Sequence, residues 1–205
     1  MATRVNWWVR AVAHLVNDAR WADLATAYAD EGLEIADDLM TCYVNVVAGQ
    51  QVSLVSGRRL AERIFNACNK AQGLDLALCL INMDEGDLRA LGFSRSKAHA
   101  LKGLAQGYAQ GFATREAFEG LSDDAIGERL VRIKGIGPWS VRMILLFGLG
   151  RQDVFPTDDL GVRRGMQCRF GPDCDMEATA LACRPYRSAV TWLLWRTQTQ
   201  TPVQY

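Results

Sequence analysis

A short glycine turn, Ile133-Lys-Gly-Ile-Gly-Pro-Trp139, separates two segments whose apolar residues recur with helical spacing. Gly135 and Gly137 allow backbone angles that other residues resist, and they leave no Cβ in the way of an approaching ligand. Proline suits the first position of a helix, so a second helix is predicted to begin at Pro138. The sequence therefore predicts two helices joined by a tight turn, at about residues 122–149.

The start of the second helix suits an anion. Its first N–H groups have no partner within the helix, and the positive end of the helix dipole lies beside Gly137. A phosphate of a nucleic-acid backbone fits that description. An ordinary pair of helices joined by a glycine turn has the same spacing, so the turn alone leaves both interpretations open.

A second segment of interest is the proline-bounded loop Phe155-Pro-Thr-Asp-Asp-Leu-Gly161, which places two adjacent carboxylates before a predicted helix. Asp158 is predicted to cap that helix, which leaves Asp159 pointing elsewhere. A carboxylate near the positive end of a dipole stays ionised, so Asp159 suits the stabilisation of a cation better than proton donation. The alternative is that both aspartates are caps.

No alternating strand pattern persists for more than a few residues, so we predict an all-α protein of many short helices. Its 205 residues, 49% of them hydrophobic, allow one large domain or two small ones with a sizeable core. The segment from Leu39 to about Gly49 is almost wholly apolar and predicts a buried helix, which Asp37-Asp38 can cap.

No apolar run approaches the roughly 20 residues that a membrane helix needs. The N-terminal residues also lack the pattern of a secretion signal. We therefore expect no membrane partner and a cytoplasmic location, at the nucleoid if the source is bacterial.

The formal net charge is zero, but the charge is unevenly distributed. Residues 131–205 carry 10 basic and 6 acidic side chains, a net of +4, and this part contains the glycine turn. The excess agrees with a nucleic-acid partner, although a solvated surface gives the same imbalance.

The six cysteines lack a Cys-x-x-Cys pair, and the chain has only two histidines, so a metal–sulfur site is poorly supported. Three lie in apolar helical patterns and are predicted to be free, buried side chains: Cys42, Cys68 and Cys79. The other three are scattered towards the C-terminus: Cys168, Cys174 and Cys183.

Together, the glycine turn and the loop with Asp159 resemble the helix-hairpin-helix (HhH-GPD) DNA glycosylase superfamily, in particular its 3-methyladenine DNA glycosylase II-like branch. The resemblance covers roughly residues 40–196 in the family's order. It also includes three further segments: Gly49-Gln-Gln-Val-Ser53, Leu88-Arg-Ala-Leu-Gly-Phe-Ser-Arg-Ser-Lys97, and Arg184-Pro-Tyr-Arg-Ser-Ala189 with Trp195.

This resemblance implies a two-lobed helical fold with an active-site cleft between the lobes. One lobe would be residues 46–150, which contain the hairpin. The other would combine residues 1–45 with residues 151–205.

The resemblance also implies roles for individual residues. Asp159 would be the catalytic aspartate. The backbone carbonyls of Ile133 and Ile136 would be able to hold a monovalent cation. Gln51, or Gln50 beside it, matches the position that wedges into the duplex where the damaged nucleotide is flipped out. The DNA phosphate would be bound by Lys134, Gly135, Ile136 and Gly137.

Two departures from the family pattern imply a glycosylase that does not nick the DNA strand and has no iron–sulfur cluster. Members that also cleave the strand have a lysine where this chain has Trp139, because an amine must attack the sugar. The cysteines near the C-terminus do not match the spacing of the family's iron–sulfur ligands. No cofactor is therefore expected to be required.

Trp139 and Trp195 match aromatic positions that line the base pocket of the alkylation-repair branch. A 3- or 7-alkylated purine is cationic, and stacking on an electron-rich ring contributes about 0.5–2 kcal/mol. Met143 would also line this base pocket, at a position where a tyrosine occurs in a well-known bacterial branch member, so the range of bases is open. Core packing is the alternative role of each tryptophan.

These implications predict a monofunctional DNA glycosylase of base excision repair, acting as a monomer on double-stranded DNA. It would hydrolyse the N-glycosidic bond of alkylated purines such as 3-methyladenine and 7-methylguanine. One alternative is a glycosylase for a neutral base, namely uracil, mismatched thymine or hypoxanthine. The other is a non-catalytic helix-hairpin-helix module that only binds DNA.

Overall fold

The computed structural model describes residues 3–199, which are mostly helical, as predicted. None of the described helices is both long and apolar enough to cross a membrane. In chain order the elements are β1 (Thr3–Arg4), α1 (Trp8–Leu15), α2 (Ala22–Ala27), β2 (Glu34–Ile35), α3 (Leu39–Gly49), α4 (Leu54–Ala67), α5 (Gly73–Asn82), α6 (Glu85–Ala90), α7 (Arg95–Ala109), α8 (Arg115–Phe118), α9 (Asp123–Leu130), α10 (Pro138–Met143), a π-helical segment (Ile144–Gly148), α11 (Leu160–Phe170), α12 (Met176–Leu181) and α13 (Arg187–Arg196). The two short strands pair antiparallel.

The chain forms two compact units. One contains the described residues up to Ile35 and those from Leu145 onward, and the other is Ala36–Ile144. The family resemblance predicts the first boundary at residue 45, which lies inside α3. The structure keeps α3 whole because this helix packs against α4, α5 and α7 of the second unit. The other boundary lies between Ile144 and Leu145, within the π-helical segment, and not at the predicted residue 150.

The core of the Ala36–Ile144 unit is built around α3, which is buried on nearly every side, as predicted. Asp38 caps this helix, because its carboxylate accepts hydrogen bonds from the N–H groups of Met40 (3.2 Å) and Thr41 (2.8 Å). The Tyr43 hydroxyl donates to the carbonyl of Ala113 at 2.9 Å, so this polar group is paired inside the core.

In the other unit the central element is α13, whose residues from Ser188 to Trp195 are all buried. It packs against α1, α11 and α12. Two of its buried hydroxyl groups are paired with Val154, since Ser188 Oγ accepts from the Val154 N–H at 2.8 Å and Thr191 Oγ1 donates to the Val154 carbonyl at 3.0 Å. This packing holds Trp195 in a fixed position near the end of α13.

The prediction of three free, buried cysteines was correct only for Cys42, which is fully buried. Cys68 at the end of α4 is joined to Cys79 in α5 by a disulfide, with a Cα–Cα distance of 6.0 Å. Positive φ angles at Asn69, Lys70 and Gly73 bend the chain between these helices. Helical periodicity carries no information about such a bend, so the disulfide between Cys68 and Cys79 could not be predicted from it.

Candidate functional site

The glycine turn lies between the end of α9 at Leu130 and the start of α10 at Pro138. Two buried side chains anchor it, since Ile133 is 9% exposed and Ile136 is 5% exposed. The N–H of Ile136 donates to the carbonyl of Ile133 at 3.0 Å. Apolar packing of these two side chains therefore anchors the turn, which lies where the sequence spacing predicts it.

The two glycines of the turn serve different purposes. Gly135 has a φ of +91°, and a Cβ there would lie 2.8 Å from the carbonyl oxygen of Ser96 and 3.0 Å from the Cβ of Ala100. Gly137 has a φ of −106°, and a Cβ there would meet nothing within 4 Å. Gly135 is thus needed for packing on α7, whereas the space beside Gly137 is open.

The turn after α3 contains the two glutamines. Gln51 is exposed and has a φ of +55°, which non-glycine residues adopt rarely. Gln50 is half-buried, and its Nε2 donates to the carbonyl of Gly135 at 3.0 Å and to Ser140 Oγ at 2.9 Å. The family resemblance allows either residue to be the wedge. Because the amide of Gln50 is engaged within the protein, the geometry favours Gln51.

Basic side chains lie beside the turn. Lys134 is exposed and, together with His99 and Lys102 of α7, lines a groove of about 420 Å³. The α7 helix carries several basic side chains and no acidic one. This surface therefore suits an anionic partner.

Trp139 and Met143 are both on α10, and their exposures differ. Trp139, in the first turn of the helix, is half-buried. Met143 has no exposed surface and belongs to the core. In this structure Met143 therefore offers no surface to a base, in contrast to its predicted place in the pocket. Trp139 keeps part of its surface exposed.

In the unit that contains α13, Asp159 is the N-cap of α11. Its Oδ1 accepts a hydrogen bond from the N–H of Val162 at 2.9 Å. The prediction that Asp158 is the cap was wrong, because the turn closed by the Asp159 N–H on the Pro156 carbonyl (3.0 Å) makes Leu160 the first helical residue. The carboxylate of Asp159 is thus held by the start of a helix.

Trp195 holds the same oxygen from a second direction. Its Nε1–H donates to Asp159 Oδ1 at 2.8 Å. The indole is 6% exposed and stacks on Phe147, with ring centroids 5.6 Å apart and an interplanar angle of 18°. A Cβ at Gly161 would lie 2.7 Å from Trp195 Cδ1, so this glycine provides the space for the contact. The family resemblance predicts that Trp195 lines a base pocket, whereas in the structure it packs between Asp159 and Phe147.

Comparison with known proteins identifies the family. A sequence model of the HhH-GPD superfamily of base excision DNA repair proteins matches residues 44–182, which include the glycine turn and Asp159. The chain belongs to the HhH-GPD superfamily. DNA-3-methyladenine glycosylase 1 of Schizosaccharomyces pombe is 36% identical over 160 residues, which cover 75% of this chain and 70% of that protein. The putative DNA-3-methyladenine glycosylase YfjP of Bacillus subtilis is 27% identical over 207 residues, covering 94% of this chain and 71% of that protein.

Solved structures of proteins named 3-methyladenine DNA glycosylases share the fold. The 3-methyladenine DNA glycosylase Mag1 of Schizosaccharomyces pombe, in complex with abasic DNA, has a TM-score of 0.80 and 29% identity, covering 96% of this chain and 100% of that chain. The 3-methyladenine DNA glycosylase of Archaeoglobus fulgidus has a TM-score of 0.77 and 22% identity, covering 95% of this chain and 70% of that chain. The predicted family and helical fold class are confirmed.

Two contacts of this HhH-GPD protein were not foreseen from its sequence. They are the bond from Trp195 to Asp159 and the bond from Gln50 to Gly135 in the glycine turn. Both join residues far apart in the chain. One usable signal was Gly161, because a glycine in the first turn of a helix often marks the close approach of another group.

Among the cysteines outside the disulfide, Cys42 and Cys183 are buried, Cys174 is half-buried and Cys168 is exposed. Burial raises the pKa of Cys42 and of Cys183 to about 12, so these thiols stay protonated at neutral pH. Cys174 Sγ lies 3.2 Å from Thr179 Oγ1. In this part of the chain no group of three or more His, Cys, Asp or Glu side chains could hold a metal ion.

Proposed function

We propose that the protein is a DNA glycosylase of base excision repair that releases alkylated purines, of the 3-methyladenine and 7-methylguanine type, from double-stranded DNA. The observation that carries the proposal is the carboxylate of Asp159, held by Val162 N–H and Trp195 Nε1–H. The chain belongs to a superfamily of DNA repair proteins, and relatives that match most of it are named DNA-3-methyladenine glycosylases.

The proposed reaction is hydrolysis of the N-glycosidic bond. Alkylation at N3 or N7 places a positive charge on the purine, so the base leaves as a neutral molecule without a general acid. The sugar then develops oxocarbenium character, which the negative charge of Asp159 stabilises. The same carboxylate orients or deprotonates the attacking water. A carboxylate already oriented by two N–H groups needs little rearrangement to act in this way.

Trp139 accounts for two further parts of the proposal. Its half-exposed ring would stack on the cationic base, with a gain of about 0.5–2 kcal/mol. As a tryptophan it also lacks the amine that a strand-cleaving glycosylase uses to attack the sugar. We therefore propose that the enzyme leaves an intact abasic strand.

The DNA backbone would be bound at the glycine turn. The N–H groups of Gly135, Ile136 and Gly137 are the candidate donors for a phosphate, and the ammonium of Lys134 adds a charge. The N–H of Ile136 already donates to Ile133, so the glycine N–H groups are the better candidates. Gln51 would enter the duplex, and Val52 and Val55 beside it, 45% and 60% exposed, offer apolar surface to the neighbouring bases.

A monovalent cation at this turn remains a proposal. The carbonyls of Ile133 and Ile136 are neutral oxygen ligands of the kind that suits such an ion. The Ile133 carbonyl accepts one hydrogen bond, from Ile136, and a carbonyl has a second lone pair. A bound cation would add positive charge near the proposed phosphate. Action as a monomer and a cytoplasmic location also remain predictions.

The test is base release from duplex DNA that contains 7-methylguanine, 3-methyladenine, hypoxanthine or uracil. We expect free alkylpurine, with the strand cut only after treatment with alkali or heat. Release of only the neutral bases would contradict the proposed substrate class. Strand nicking without treatment would contradict the monofunctional mechanism, and DNA binding without any base release would favour a non-catalytic module.

Trp195→Phe is expected to slow base release about tenfold, because it removes a charge-assisted hydrogen bond from Asp159 while keeping an aromatic ring beside Phe147. Single-turnover rates with a 7-methylguanine duplex provide the measurement. The matched control is Trp192→Phe, also on α13. Trp192 is buried, and its Nε1 has no hydrogen-bond partner among the described residues.

The control variant loses the same volume from the same helix but no hydrogen bond. It should therefore keep the parental rate within about twofold once the protein is folded. Equal rate losses in the two variants would show that the indole of Trp195 acts only by packing.

A further inference from the structure

Gln50 connects two turns that are 85 residues apart in the sequence. Its Nε2 donates one hydrogen bond to the carbonyl of Gly135 at 3.0 Å and another to Ser140 Oγ at 2.9 Å. A primary amide has two N–H donors, so both are used. Ser140 is 2% exposed, so the acceptor of the second bond is buried while Gln50 itself is half-buried. Gln50 thus fixes the end of α3 to both the glycine turn and the first turn of α10.

The α7 helix reinforces the same junction. The Nζ of Lys97 donates to the carbonyl of Ala48 at 2.8 Å, close to the end of α3. The backbone of Ser96, the preceding residue, lies so near Gly135 that a Cβ there would be 2.8 Å from its carbonyl oxygen. The end of α3 and the glycine turn are therefore held by adjacent residues of one helix as well as by Gln50.

We infer that Gln50 is a positioning residue, which holds Gln51 at a fixed distance from the phosphate-binding turn. This inference rests on the proposed function. The backbone φ of Gln51 is +55°, and the residue follows Gln50 directly, so the bonds of Gln50 determine where the exposed side chain of Gln51 starts. Binding energy gained at the phosphate can drive a side chain into the duplex only when the two turns cannot move apart.

The variant for the test is Gln50→Leu, which keeps the size of the side chain and removes both donors. The control is Gln72→Leu, in the same unit, where an exposed glutamine makes no capping hydrogen bond through its side chain. The DNA is a duplex that contains a tetrahydrofuran abasic-site analogue next to 2-aminopurine, whose fluorescence rises when it unstacks. This readout needs no catalysis. Thermal midpoints of both variants report on folding.

Gln50→Leu is expected to bind this duplex within about threefold of the parent, because the phosphate contacts remain, yet to give less than about half of the fluorescence rise. Its single-turnover release of 7-methylguanine should fall about tenfold in paired duplex but less than about threefold in single-stranded DNA, where no unpairing is required. Gln72→Leu should match the parent in every measurement.

A parental fluorescence rise in Gln50→Leu would overturn the inference, as would equal rate losses on paired and single-stranded DNA. Parallel losses of thermal midpoint, binding and fluorescence would also overturn it, because they indicate a purely structural residue. If the parent protein unstacks 2-aminopurine but releases no base, the proposed function is wrong, and the effect of Gln50→Leu on unstacking still tests the inference. A parent that causes no unstacking would overturn the inference itself.

Discussion

Asp159→Asn is expected to lower the rate of base release by about a hundredfold or more while the protein stays folded. The amide oxygen of asparagine can still accept from the N–H of Val162 and from Trp195 Nε1, and asparagine caps helices about as well as aspartate. The variant therefore keeps both of these hydrogen bonds and removes the negative charge. Single-turnover release of 7-methylguanine, beside a thermal midpoint, provides the measurement.

The neighbouring aspartate provides the control. Asp158→Asn removes the same charge one residue earlier, where the side chain is not the cap of α11, and should keep the rate within about threefold. Undiminished release by Asp159→Asn would remove this carboxylate from the proposed chemistry. Equal losses in both variants would indicate a general effect of local charge instead of a role for one carboxylate.

Gly137→Ala is expected to weaken binding to duplex DNA about tenfold or more with little change in stability. The added Cβ would meet no protein atom within 4 Å, and the φ of −106° is open to alanine. The methyl group would instead occupy the space through which a phosphate approaches the turn, at a cost of about 1.5–3 kcal/mol for a lost charged hydrogen bond. Fluorescence anisotropy with an abasic-site duplex measures the loss.

Gly135→Ala is the matched variant and should lose stability, the property that Gly137→Ala is expected to keep. Its φ of +91° and the 2.8 Å approach of its new Cβ to the Ser96 carbonyl predict a loss of about 1–3 kcal/mol in the free energy of unfolding. Chemical denaturation of both variants separates the two effects. Parental DNA affinity in a folded Gly137→Ala protein would contradict phosphate binding at this turn.

The parts of the fold that follow from local patterns could be predicted from the sequence. The apolar run of α3 predicted its burial, and the spacing of glycine and proline predicted the turn before α10. The choice between Asp158 and Asp159 as the cap could not be made, because it depends on a one-residue difference in where α11 begins. Helix ends are the least certain part of any such prediction.

The contacts that orient the candidate site were also beyond the sequence, for a different reason. Trp195 meets Asp159 across 36 residues, and Gln50 meets Gly135 across 85. Such pairings depend on how whole helices pack, and composition or periodicity contains no record of them. The resemblance to a family indicated which residues matter. It did not indicate that Trp195 would donate a hydrogen bond to Asp159 or that Gln50 would donate one to Gly135.

The double use of Asp159 Oδ1 limits how this position can vary during evolution. Glutamate has the charge, but its extra methylene removes the oxygen from capping distance. Serine and asparagine cap the helix but have no charge. Aspartate alone combines both properties, so selection for a folded α11 and selection for chemistry act on the same atom. We therefore expect changes in base preference at residues that cap no helix, such as Trp139, and not at Asp159.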